Sequence, residues 1–152
     1  MLHVAAAVKG VAMAARGANS ALDWLLDKKI TLTLVNATRR DAVMAICIIP
    51  VIGPRDVLSF SCGWQLVQAG ETFSAPWSVQ RFGSDLAFYS YVEDGSETSG
   101  DCEFYVLESG GEDWAIMGAQ SPNPRIMMGS GSLSVVSGRT SRVTDDFTYR
   151  LR

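Results

Sequence analysis

The side chains best equipped for chemistry are few here, and their spacing suits catalysis poorly. His3 is the only histidine in 152 residues. It sits at the very start, so a Ser–His or Cys–His pair would have to be built on a chain end. Cys47, Cys62 and Cys102 show no CxxC spacing. Cys47 lies in an apolar run, as a small buried hydrophobe would. With one histidine no His/Cys zinc cluster is expected, and whether any two cysteines pair is left open. Asp85, Glu93, Asp94, Glu97, Asp101, Glu103, Glu108, Glu112 and Asp113 fall between positions 82 and 121, a span without Lys or Arg. A glycosidase-like carboxylate pair could be drawn from them, and Glu93, Asp94, Glu97 and Asp101 could offer oxygens to Ca²⁺. Their spacing matches no EF-hand, and an acidic run in a polar stretch is ordinarily a hydrated loop. We therefore expect no catalytic residue, no cofactor and no metal ligand: a protein that is not an enzyme. The basic side chains are scattered and the net charge is −3, against a nucleic-acid partner.

The more informative pattern is in the first 28 residues, which hold no proline and many alanines. On a helix at about 100° per residue, Lys9, Arg16, Asn19, Ser20, Asp23 and Asp27 share one polar stripe. Val4, Val8, Val11, Ala15, Leu22, Leu25 and Leu26 form an apolar face. Between them runs a ridge of small residues, Ala6, Gly10, Ala14, Gly17 and Ala21, of the kind that lets helices approach closely. A helix of that length extends about 40 Å, enough to cross a bilayer core. Several copies could turn the polar stripe to a shared aqueous lumen, which makes the six stripe residues pore-lining candidates and the ridge the helix-packing seam. The plainer expectation for such a helix is packing on its own domain, and the two are compatible if Lys28-Lys29 acts as a hinge.

From Lys29 the pattern changes. Ile30-Thr31-Leu32-Thr33-Leu34-Val35 alternates with the period of a half-buried strand, and Ala42 to Ile49 reads as a second, more apolar one. Further strands are expected near 57–60, 64–67, 72–78, 86–92, 102–107, 114–117, 126–128, 132–136 and 147–151, mostly separated by Gly, Ser, Asn, Asp or Pro. The expected fold class is mainly β: an antiparallel β-sandwich with an N-terminal amphipathic α-helix, as one globular unit of a helix (1–28) and a sandwich domain (29–152). Apolar residues at 47% and charged ones at 19% favour a compact chain over a disordered one. No stretch of 18 uncharged apolar residues is present, and Lys9 and Arg16 interrupt what would otherwise be a signal-peptide core.

This layout resembles the actinoporins, the sea-anemone pore-forming cytolysins, and their wider actinoporin-like superfamily. The resemblance rests on Val4–Asp27, then Lys28-Lys29, then Ile30-Thr31-Leu32-Thr33-Leu34-Val35-Asn36. Val67-Gln68-Ala69-Gly70-Glu71-Thr72 is similar to a later turn, and Leu86-Ala87-Phe88-Tyr89-Ser90-Tyr91 to the core strand after it. The family's aromatic phosphocholine site has no counterpart, since Glu108–Trp114 is acidic and glycine-rich, and the family lacks cysteine. Gly63-Trp64 followed by Gly70-Glu71 is also similar to a "GW…PGE" pattern of small bacterial sandwich domains, which implies fold alone.

The actinoporin resemblance implies a secreted protein that binds a lipid membrane, inserts its N-terminal helix and forms a homo-oligomeric pore. Tryptophans on loops ordinarily give the first grip on headgroups, so Trp77 and Trp114 are the membrane-contact candidates, while Trp64 reads as core. The alternative is a lectin-like or protein-binding β-sandwich module, with a glycan as partner and the helix serving self-association or assembly.

Overall fold

The computed structural model describes residues 26–93, 95, 97–108 and 113–152. The stripe residues Lys9, Arg16, Asn19, Ser20 and Asp23, and the ridge Ala6, Gly10, Ala14, Gly17 and Ala21, lie outside the described residues. The chain forms β1 (Lys28–Asn36), β2 (Ala42–Pro50), a one-turn helix α1 (Arg55–Leu58), β3 (Phe60–Val67), β4 (Thr72–Val79), β5 (Ser84–Val92), β6 (Cys102–Leu107), β7 (Trp114–Met117), β8 (Arg125–Met128), β9 (Leu133–Val143) and β10 (Phe147–Leu151). It is thus mainly β, as the alternation implies.

Three strands form one sheet in the order β10-β1-β4, and seven form another in the order β6-β9-β5-β2-β3-β7-β8. Every pairing is antiparallel except β1 with β10. The small sheet lies over one face of the large one. Ile30, Leu32 and Leu34 of β1, Trp77 and Val79 of β4, and Tyr149 and Leu151 of β10 share a core with Met44, Ile46, Ile48, Phe60 and Phe88 of the large sheet. Phe88 stacks on Tyr149 across that interface, with ring centroids 4.3 Å apart.

The large sheet then curls, which encloses a second core. All nine residues of β2 are buried because its alternate side chains enter different interiors. Ala42, Met44, Ile46 and Ile48 face the small sheet, whereas Val43, Ala45, Cys47 and Ile49 point into the curl with Trp64, Phe104, Val106 and Trp114. The curl turns at Gly138. There β9 changes partner, from β6 (Cys102↔Gly138) to β5 (Phe88↔Arg139). A Cβ on Gly138 would lie 2.9 Å from both the Phe104 ring and the Phe88 carbonyl, so only glycine fits this crossing. The curl is drawn together where β6 meets β3 and the turn after β7. Ser61 donates to the Tyr105 carbonyl (2.7 Å), Trp64 Nε1 to the Leu107 carbonyl (3.0 Å), and the Tyr105 amide to the Ala119 carbonyl (2.8 Å).

Several expectations change. Strand β1 begins at Lys28, inside the expected helix, and Lys28 and Lys29 pair with Val79 and Ser78 of β4. That ladder makes the basic pair part of a sheet and not a hinge. Lys28 Nζ donates to the Thr144 carbonyl and Lys29 Nζ to Ser78 Oγ. The expected strands at 57–60 and 64–67 become α1, carrying Val57, and one continuous β3. Strand β9 runs seven residues past Val136, the end expected from the sequence, because Ser137 and Gly138 continue the ladder with β6 and Arg139 to Val143 find a second partner in β5.

Trp77 and Trp114 require the largest correction. Both are completely buried, Trp77 between the sheets and Trp114 in the second core edge-on to Trp64 at 5.4 Å. Neither presents a ring to a membrane surface. Their flanking Pro, Gly and acidic residues read as loops, but Trp77 follows the inward alternation of β4 and Trp114 opens β7.

Candidate functional site

Two features of the surface stand out, at opposite ends of β5. The first is built from turns. Gln80-Arg81-Phe82-Gly83 is a tight turn joining β4 to β5, closed by a hydrogen bond from the Gly83 amide to the Gln80 carbonyl (2.9 Å). Gly83 takes φ 108°, a conformation that L side chains rarely adopt, and this leaves Phe82 at the tip, 76% exposed. The β2–β3 connection carries Ile52 and Val57, 57% and 58% exposed.

Gln80 ties the turn to that connection. Its buried amide accepts from the Val51 amide (2.7 Å) and the Ile52 amide (3.2 Å) and donates to the Ile52 carbonyl (3.3 Å). Ile52 and Phe82 are therefore held on neighbouring loops of one end. Its arginines are matched by carboxylates: Arg81 pairs with Asp27 (3.1 Å), and Arg55 (3.3 Å) and Arg142 (2.6 Å) share Asp85. The guanidinium of Arg142 is pushed above its ordinary value by its hydrogen bond to Asp85 and the charge there.

The N-terminal segment joins the domain at this same end. Leu26 is buried in the main core, and Asp27, the one pore-lining candidate among the described residues, is exposed and accepts two hydrogen bonds from Arg81. In this arrangement Asp27 is an ion-pair partner on the rim, bonded to Arg81 of the tip-bearing turn.

The second feature is a cleft of about 570 Å³ at the mouth of the curled sheet. Trp64 and Tyr89 form its floor, only 2% and 4% exposed, and Tyr91, Glu97, Glu108 and Ser134 stand around it. The Tyr89 hydroxyl donates to Glu97 Oε1, and Ser134 Oγ to Glu108 Oε2. Burial, followed by the hydrogen bond to and charge of Glu97, pushes the Tyr89 phenol well above its ordinary value. It therefore stays a donor at all physiological pH. An isolated bridge between Tyr91 and Glu97 holds the acidic loop against β5.

Compared with protein-family models, with curated proteins and with solved structures, the chain matches none of them. The two surfaces must be read on their own chemistry.

The cysteines offer little. All three are free and buried, and Cys47 and Cys62, neighbours on paired strands, face different cores. Burial pushes all three thiols up, most strongly Cys47 and Cys62, away from the thiolate that nucleophilic or metal chemistry needs. Among the described residues no group of three or more His, Cys, Asp or Glu could hold a metal ion, and no helix is long and apolar enough to cross a membrane.

Sequence reasoning missed Ile52 and Phe82, because one apolar residue in a polar turn carries no periodicity, and placed Val57 in a strand where the chain forms α1. The available signal was their setting, Val51-Ile52-Gly53-Pro54 and Arg81-Phe82-Gly83, where turn chemistry leaves a large side chain nowhere to point but outward.

Proposed function

We propose that this protein binds lipid bilayers through the Ile52–Phe82 end and delivers its N-terminal segment to the membrane as a pore-forming helix. The observation that carries this reading is the exposure of Phe82 and Ile52 on two loops pinned together by Gln80. Each large apolar side chain withdrawn from water contributes about 1.5–3 kcal/mol when fully buried. Phe82, Ile52 and Val57 together could supply several kcal/mol by dipping into the headgroup region, a depth at which amphipathic anchors lie. The matched ion pairs make this grip apolar more than electrostatic, which suits a zwitterionic surface.

Position gives further support. The chain enters β1 beside Arg81, the neighbour of Phe82, so docking would bring residues 1–25 to the bilayer without large rearrangement of the sheets. The stripe, apolar face and small-residue ridge of that segment then fit a helix that lines a lumen with its copies, and the likeness of the layout to actinoporins points the same way. The β-sandwich with an N-terminal amphipathic helix is the architecture this proposal requires.

Flotation with phosphatidylcholine vesicles tests the docking step. The protein should float, and Phe82→Ser should weaken partitioning about tenfold or more, from the transfer free energy of one aromatic side chain. Dye release tests the pore step, using a deletion of residues 1–25 that leaves Leu26 and the Asp27–Arg81 pair in place. Leakage by the full chain that persists after the deletion would exclude the helix as the pore element. An absence of flotation would remove the membrane reading altogether.

A further inference from the structure

The cleft lies away from the membrane-facing end. Phe82 precedes β5, whereas Tyr89 and Tyr91 stand near its far end, roughly 20–30 Å along the strand at about 3.3 Å per residue. We propose that this cleft is a saccharide-binding site, selective for neutral or amino-bearing sugars over acidic ones. A sugar ring is apolar on its C–H faces and hydroxylated around its edge, and the cleft matches both. Half-buried Tyr91 and exposed Val135 supply apolar surface on the wall, Trp64 and Tyr89 close the floor with little of their rings exposed, and Glu97, Glu108 and Ser134 supply hydrogen-bonding groups at the rim.

The carboxylates are set for this task. Each is oriented through one oxygen, Glu97 by the Tyr89 hydroxyl and Glu108 by Ser134. The second oxygen of each takes no hydrogen bond among the described residues, so each can accept from a sugar hydroxyl or an ammonium group. Because the orienting bonds already exist, little side-chain freedom is lost on binding. A volume of about 570 Å³ falls within the range of small-ligand sites.

Charge sets the selectivity. Among the described residues no Lys or Arg lines the cleft, and none occurs in the sequence between 82 and 121. A uronic acid, sialic acid or phosphate brought there would meet two carboxylates with no compensating cation among the described lining residues. Neutral hydroxyls meet acceptors, and an amino sugar gains an ion pair.

The test is a glycan array of neutral, amino-bearing and acidic oligosaccharides probed with the full chain without lipid, followed by titration calorimetry of the strongest binders. Neutral or amino glycans should bind. Glu108→Gln and Tyr91→Ala, at exposed and half-buried positions, should each weaken binding at least tenfold while circular dichroism and melting stay close to wild type. Phe82→Ser should bind the same glycans as wild type while losing vesicle flotation, which separates failure of this site from failure of the membrane reading. The proposal is overturned if no neutral or amino glycan binds, if acidic glycans bind better, or if affinity survives both cleft substitutions.

Discussion

Replacing Gln80 by methionine keeps the length and flexibility of the side chain and removes its hydrogen bonding. In the native fold Gln80 is 3% exposed and serves three backbone groups of the β2–β3 connection. The two at Ile52 belong to an exposed residue and can turn to water at small cost. The Val51 amide, held at 2.7 Å on a half-buried residue, has less access to water. Leaving one buried donor unsatisfied costs about 1–3 kcal/mol, and losing the two longer bonds adds about 0.5–1 kcal/mol. Gln80→Met should therefore lower stability by about 2 kcal/mol in urea titrations at unchanged m-value. Amide exchange at Val51 should speed up by more than tenfold. Vesicle partitioning should also fall although Ile52 and Phe82 are untouched, since the two loops are no longer held as one surface. A stability loss under about 0.5 kcal/mol with unchanged Val51 protection would refute the reasoning, because the amide would then be satisfied by something other than Gln80.

Other outcomes follow from the two cores. Ile46→Ala, in the doubly buried β2, should cost about 2–5 kcal/mol by denaturant titration, whereas Val135→Ala at a half-exposed position should cost under about 0.5 kcal/mol. The thiols of Cys47 and Cys62 have folded-state pKa values raised above the unfolded value of 9.0, so the stability tied to their protonated form is full below pH 9 and is lost as pH rises above it. Unfolding free energy should drop by about 1.4 kcal/mol per pH unit per thiol in that window, and a stability profile flat from pH 8 to 10.5 would contradict it. The same thiols should resist a disulfide reagent at pH 8 until denaturant is added. In a Trp24→Phe variant, emission from Trp64, Trp77 and Trp114 should be blue-shifted and unchanged by vesicles; a further shift on adding lipid would restore Trp77 or Trp114 as a membrane contact.

Much of the fold was legible because strand alternation is a local signal. Ile30 to Val35, the run at 102–107 and the run at 147–151 match β1, β6 and β10 to within a few residues. What local pattern could not carry was the curl. An all-buried β2 looks alike whether it lies in a flat sandwich or divides two cores, and the division depends on Gly138 and on contacts between β6 and β3, which are distant in sequence. The same limit misplaced Trp77 and Trp114, whose neighbours in sequence are turn formers but whose neighbours in space are core. The Ile52–Phe82 end was illegible for the opposite reason: its two loops are distant in sequence and are tied by the side chain of Gln80 and the pairing of β2 with β5. Of the cleft, Glu97 and Glu108 were visible as members of an acidic stretch, while their pairing with Tyr89 and Ser134 was a property of the fold.

The most direct measurement places an environment-sensitive fluorophore at each end in turn. Because the native thiols are buried, Phe82→Cys and Val135→Cys can be labelled selectively. With phosphatidylcholine vesicles, the label at position 82 should brighten, shift to the blue and be quenched by a lipid-borne quencher, while the label at 135, beside the cleft, stays in water. A lipid-shielded label at 135, or none at 82 under conditions where the protein floats, would contradict the assignment of the membrane-facing end.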